Sequence, residues 1–177
     1  IRNTNNPSAK GTKIVAKRSH YDSLVTGIAG EKGFATITIH KYLMNREIGF
    51  LMNVLRIFAE ENVSIEHMPS GIDSVTLIVR TKYFTEEKQE IILGRLRNEL
   101  NVQSCNVERD LAIVMVVGQA MAKSVGIMAR CASALGDAGI NLRIVNQGAS
   151  EISVMFGISE AYCSYGVRTL YKELFKV

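Results

Sequence analysis

One pattern of strands and helices occurs twice in this chain, and that repeat restricts its fold more than any other feature. In the first copy, residues 34–40 alternate apolar Phe34, Ile37 and Ile39 with polar Thr36, Thr38 and His40, as a half-buried strand does. A polar loop over 41–48 leads to Leu51, Val54, Leu55, Phe58 and Ala59, which fall on one helical stripe. Asn62 is placed to end that helix in the left-handed region. Strands are expected at 63–68 and 74–80, around a turn carrying Pro69, Ser70 and Gly71. Thr85 is an N-cap for a second helix, with Glu86 and Glu87 favoured by its dipole, and a strand at 102–108 closes the βαββαβ unit.

The second copy starts at once: a strand at 111–117, a loop containing Gly118, and a helix over 125–136 with Val125, Met128, Ala129, Ala132 and Leu135 on its stripe. The first helix ends in E-E-N-V-S-I and this one in D-A-G-I-N-L, so each stops at a residue that tolerates left-handed backbone and turns straight into an apolar strand. Strands at 140–145 and 152–158 follow, joined by a turn over 147–150. Ser159 is expected to cap a last helix carrying Val167, Leu170, Tyr171, Leu174 and Phe175. This copy lacks its fourth strand, and an open sheet edge leaves backbone groups unpaired. Residues 24–29 (L-V-T-G-I-A) are apolar and able to form a strand, so the first unit is expected to be inserted within the second. The expected fold class is therefore α+β: two ferredoxin-like units, antiparallel sheets with helices on one face. The expected domains are 33–109 for the first unit, 21–32 with 110–177 for the second, and a linker or the tail of a preceding domain over 1–20.

Composition narrows the function. Apolar residues make up 47% of the 177, enough for a sizeable core. The net charge is +4, but Lys and Arg are scattered without interleaved aromatics, which argues against a nucleic-acid partner. Cys105, Cys131 and Cys163 lie far apart, with no C-x-x-C and no His at ligand spacing, so neither a zinc site nor a disulfide framework is signalled, and a reducing cytoplasm fits. The longest apolar run, residues 111–117, is far short of the roughly 20 residues that a membrane span needs. The chain opens on Ile1 in a polar N-N-P stretch, as a piece of a longer polypeptide would.

These residues resemble a known family. The βαββαβ unit is the ACT fold, and particular words are similar to aspartate kinases: N-x-x-N-P followed by G-T at Asn3, Asn6, Pro7, Gly11 and Thr12; G-F-L at Gly49, Phe50 and Leu51; N-V-S-I-E from Asn62 to Glu66; and the long stretch G-I-N-L-R-I-V-N-Q-G-A-S-E-I-S-V that begins at Gly139. The resemblance covers essentially the whole chain. It implies the regulatory tail of an enzyme that transfers phosphate from ATP to L-aspartate, feeding lysine, threonine and methionine synthesis. It also implies that the tail has no catalytic residues or cofactor of its own, ATP and Mg belonging to a catalytic domain on the same polypeptide. The family's K-F/Y-G-G-[ST]-type motif is absent, as is a G-x-x-x-x-G-K-[ST] loop, so this chain is expected to be inactive alone.

The expected chemistry is recognition of a free amino acid, which needs donors for a carboxylate and an acceptor for an ammonium. The loop with Met44 and Glu47, and the helix start at Gly49, Phe50 and Leu51, can supply the donors, because first-turn amides are unsatisfied and carry partial positive charge. Gly49 has no Cβ and lets a ligand approach the backbone. The strand opening at Asn62, Ser64, Ile65 and Glu66 is expected beside that loop, with Glu66 holding the ammonium and His67 and Ser70 on the far wall. His67 and His40 read as strand-face histidines, since neither has a nucleophile placed with it. The resemblance implies that the pocket forms where the first units of two chains meet, hence a homodimer, with lysine as first-choice effector and threonine, or both together, as runner-up. In the second unit, Ser124, Gly126, Asn141 and Gln147 occupy the corresponding places. They read as structural or interfacial, because Arg143 stands on the strand where an acidic residue would be needed.

Overall fold

A computed structural model describes residues 1–16 and 23–175. Residues 17–22, which include part of the expected linker and of the second unit's opening segment, lie outside the described residues. The element order is β1 (Gly27–His40), α1 (Phe50–Glu60), β2 (Ile65–His67), β3 (Ser74–Arg80), α2 (Glu86–Leu100), β4 (Ser104–Val117), α3 (Ile127–Asp137), β5 (Ile144–Gln147), β6 (Ser153–Ser159) and α4 (Cys163–Phe175).

The sheet is one, of six antiparallel strands in the order β2-β3-β1-β4-β6-β5. Four segments expected as separate strands merge into two long ones. Residues 27–31 of β1 pair with β4 from Ile113 to Val117, whereas residues 36–40 pair with β4 from Ser104 to Glu108 and residues 34–40 with β3. Each unit thus takes half of β1 and half of β4, and each has the ferredoxin-like order of four strands. Register shifts between Glu31 and Phe34, and between Phe34 and Thr36, mark the boundary, where Asp110 has φ 69°. An extra residue on each strand reverses which parity of side chain faces the helices. In β1, Ala35, Ile37 and Ile39 join the first unit's core, and Ile28 the second's.

The first core lies under α1 and α2 around Ile37, Phe50, Phe58, Leu77 and Leu96; the second lies under α3 and α4 around Val114, Leu135, Phe156 and Leu170. Phe34, Ile78, Leu111 and Met155, on the other face of the sheet, form a third buried cluster drawn from both units. His67 on β2 touches Asn146 on β5, although these strands stand at opposite edges of the strand order. The sheet therefore curls until its two halves face each other, with helices outside.

Helix details depart from the periodicity in places. The buried stripe of α1 is Phe50, Val54, Ile57 and Phe58, leaving Leu55 outside. Val125 is fully exposed and precedes α3, which starts at Ile127 behind Gly126. The strand expected at 140–145 begins at Ile144 and extends through Gln147. Thr85 does cap α2, accepting from the Lys88 amide at 3.3 Å. Ser159 does not cap: its hydroxyl donates to Asp110 Oδ2 at 2.8 Å, and one turn of 3-10 helix precedes α4.

Candidate functional site

The loop after β1 is held to the β2–β3 turn through three of its amides: the Lys41 amide donates to the Asp73 carbonyl (3.0 Å), the Asn45 amide to the Ile72 carbonyl (3.2 Å), and the Leu43 amide to the Asp73 side chain at Oδ1 (2.9 Å). A short 3-10 turn at Met44–Arg46 buries the Met44 side chain and turns the chain toward α1. Gly49 sits at the helix N-cap with φ 81° and ψ 1°, a left-handed conformation, and no side chain caps the helix. The Phe50 amide donates to the Glu47 carbonyl at 3.3 Å, and no side chain caps the Leu51 and Met52 amides that follow. They open on a cavity of about 340 Å³ lined by Met44, Asn45, Glu47, Gly49, Phe50, Leu51, Met52, Ser70 and Gly71.

Six of the residues singled out from sequence thus share one cavity: Met44, Glu47, Gly49, Phe50, Leu51 and Ser70. Asn45, Met52 and Gly71 complete it unanticipated; the Pro-Ser-Gly turn was the available signal for Gly71. The Glu47 carboxylate is paired with Lys41 Nζ at 2.6 Å, and that ammonium also lies 5.1 Å from the Phe50 ring centre and donates to the Leu100 carbonyl. The floor of the cavity is thereby tied to the end of α2.

Asn62, Ser64, Ile65 and Glu66 are not in this cavity. They follow the C-terminal end of α1, about 16 Å of helix from Gly49 for its 11 residues. The reason is topological: in a strand–helix–strand crossover the helix runs back down, so β2 starts at the end remote from the start of α1. Only the turn between β2 and β3 returns to the cavity, through Ser70 and Gly71. Asn62 terminates α1 with φ 55°. Glu66 faces the seam between the units, where its carboxylate accepts from Arg80 Nε at 2.8 Å.

The second unit repeats the geometry. Gly126 caps α3 with φ 85° and ψ 1°, behind a 3-10 turn carrying buried Met121, as Gly49 stands behind buried Met44. Here the Glu151 carboxylate reaches back to accept from the Lys123 amide at 2.6 Å, and Ser124 Oγ donates to the Ala120 carbonyl at 2.7 Å. Gln147 lies in β5, paired with Val154. Arg143 donates to the Asp110 carbonyl and pairs with Glu108.

Among the described residues no cluster of His, Cys, Asp or Glu could hold a metal ion, and no helix is long and apolar enough to cross a membrane.

Residues 114–174 match the family model of the ACT domain. Over 175 residues, 99% of this chain and 38% of the relative, the sequence is 46% identical to aspartokinase 3 of Bacillus subtilis. The aspartate kinase of Clostridium acetobutylicum, described as an allosteric enzyme, is similar in structure with a TM-score of 0.91 and 37% identity, over 98% of this chain and 40% of that one. Aspartokinase III of Escherichia coli, solved in complex with lysine and aspartate, gives a TM-score of 0.70 at 25% identity over 86% of this chain and 34% of that one. The chain spans well under half the length of these relatives.

Proposed function

Since the chain is an ACT regulatory region of the aspartate kinase type, we propose that it binds an end-product amino acid, lysine first, in the cavity at the start of α1 and so controls a kinase domain elsewhere on a longer polypeptide. The observation that carries this reading is the uncapped, glycine-opened helix start above a cavity of about 340 Å³. Uncapped amides at a helix start bind a carboxylate without further help.

One chain supplies half of the site. β2 is an edge strand, and around the cavity Tyr42, Ile48, Met52 and Ile72 are exposed apolar side chains. Both features suit a two-fold pairing of first units, edge to edge. Antiparallel pairing of two β2 strands sets the start of one beside the end of the other. Ser64 and Ile65 of one chain then stand over the cavity of its partner, where the Ser64 hydroxyl and main-chain carbonyls can accept from an ammonium. Escherichia coli aspartokinase III was solved with lysine, which supports lysine over threonine. An effector inhibits by favouring one dimer arrangement over another, a coupling of about 1–3 kcal/mol.

Calorimetry of the chain against lysine, threonine and methionine, with its mass in solution measured alongside, tests the proposal. Saturable heat with lysine on a dimer, reduced in Gly49→Ala, is the expected result. Heat with threonine alone would move the assignment to threonine, and a dimer that gives no heat with any of the three would leave a dimerisation module.

A further inference from the structure

The seam between the two half-sheets holds two grooves that the internal repeat makes equivalent, and they have diverged. The smaller, about 200 Å³, is lined by Thr36, Thr38, Thr76, Glu108, Arg143 and Ile144. In the larger, about 400 Å³, Ile113 and Met115 take the places of Thr36 and Thr38, Glu31 that of Glu108, and Glu66 that of Arg143. Phe34 and Met155 complete an apolar floor. The volume doubles while threonine hydroxyls give way to aliphatic and thioether side chains, which adapt readily to an apolar guest.

The charges have diverged too. The smaller groove has one carboxylate against one guanidinium, Glu108 with Arg143. In the larger, Arg80 lies 5.1 Å from the Phe34 ring centre and serves two carboxylates: Nη1 and Nη2 donate to Glu31, and Nε donates to Glu66 at 2.8 Å. The arginine hydrogen bond holds the Glu31 carboxyl below its ordinary range, so it is ionised at neutral pH. Two carboxylates and one guanidinium leave the rim one negative charge in excess. Three of the five guanidinium N–H donors are engaged by these two carboxylates, so an anionic guest would meet more negative than positive charge at the rim.

We propose that this larger groove is a second ligand site, for a small organic cation: a primary amine whose apolar body packs on Ile113, Met115 and Met155 and whose ammonium pairs with the Glu31 and Glu66 carboxylates beside Arg80. An apolar cavity with a few convergent polar groups is the usual form of a small-molecule site. Both units line it, Glu66 and Arg80 from the first and Met115 and Met155 from the second, so an occupant there would bear on their relative setting. This site is separate from the cavity at α1, and neither reading depends on the other.

Methionine methyl resonances of the 13C-labelled chain distinguish the two, because Met115 and Met155 line the seam whereas Met44 and Met52 line the α1 cavity. Titration with hexylammonium and phenethylammonium should shift the Met115 and Met155 signals saturably at millimolar concentration and leave Met44 and Met52 in place. Hexanoate and hexanol should leave all four signals in place. Glu31→Gln should weaken the amines about tenfold, as loss of one charge-assisted contact does, and Met115→Thr, which copies the smaller groove, should abolish the saturable shift. The proposal fails if no amine saturates, if hexanoate or hexanol matches them, or if both variants bind as the parent does. Should Glu31→Gln disturb the Met121 and Met128 signals, which report on the second core, Met115→Thr decides.

Discussion

The two glycines that open α1 and α3 form an internal control, and alanine at each is the most informative perturbation. Gly49 has φ 81° and ψ 1°, and Gly126 has φ 85° and ψ 1°. A Cβ built at position 49 would lie 3.7 Å from Met52 Cε, an ordinary contact, and one at 126 would have nothing within 4 Å. Neither substitution clashes, so the cost is that of left-handed backbone alone, about 1–2 kcal/mol, offset in part because alanine narrows the unfolded ensemble. A net loss of about 1 kcal/mol is expected at each position, a fall in Tm of roughly 2–4 °C for a chain of this size. Urea denaturation of Gly49→Ala and Gly126→Ala should agree within about 0.5 kcal/mol. Asparagine, which tolerates the left-handed region, should recover part of the loss at both. Effector heat should fall only in Gly49→Ala, whose Cβ stands at the cavity mouth. Losses above about 3 kcal/mol at one position but not the other, or no loss at either, would refute the assignment of the cost to backbone conformation.

Three further outcomes are expected. Arg56 and Arg95 join α1 to α2 through Glu60, Glu61 and Glu99, and Arg95 with Arg56 holds the Glu99 carboxyl at about 2 and lowers Glu60 also. A lowered folded value means stability present above the ordinary 4.5 and lost as pH falls toward about 2, so denaturation midpoints should drop across that window and drop less in Glu99→Gln. Ile78, fully buried in the seam cluster, should cost about 2–5 kcal/mol as Ile78→Ala, with a single unfolding transition retained because β1 and β4 run through both units; two separate transitions by fluorescence and circular dichroism would contradict that coupling. Burial raises both the Cys105 and Cys131 thiols, Cys131 to about 11, but of the two only Cys131 is fully enclosed. At pH 8 a thiol reagent should therefore spare Cys131 until the chain unfolds and react faster with the half-buried Cys105 in the native state.

Much of this protein was legible in its residues, because local backbone chemistry repeats wherever the chain does. The two βαββα runs, Thr85 as a cap, Asn62 as a left-handed terminator and the glycine before α1 all follow from neighbours a few residues apart. The part of the candidate site made of Met44, Glu47, Gly49, Phe50 and Leu51 comes from one continuous stretch, so its sharing of one cavity was legible for the same reason. Side-chain periodicity reports a face and no partner. It therefore could not tell that Leu55 and Val125 stay outside the cores, or that 27–40 and 104–117 are single strands shared by both units. Only the tertiary structure set Glu66 against Arg80 at the seam and put β2's start at the far end of α1, since strand direction and sheet curl come from pairings between residues distant in sequence.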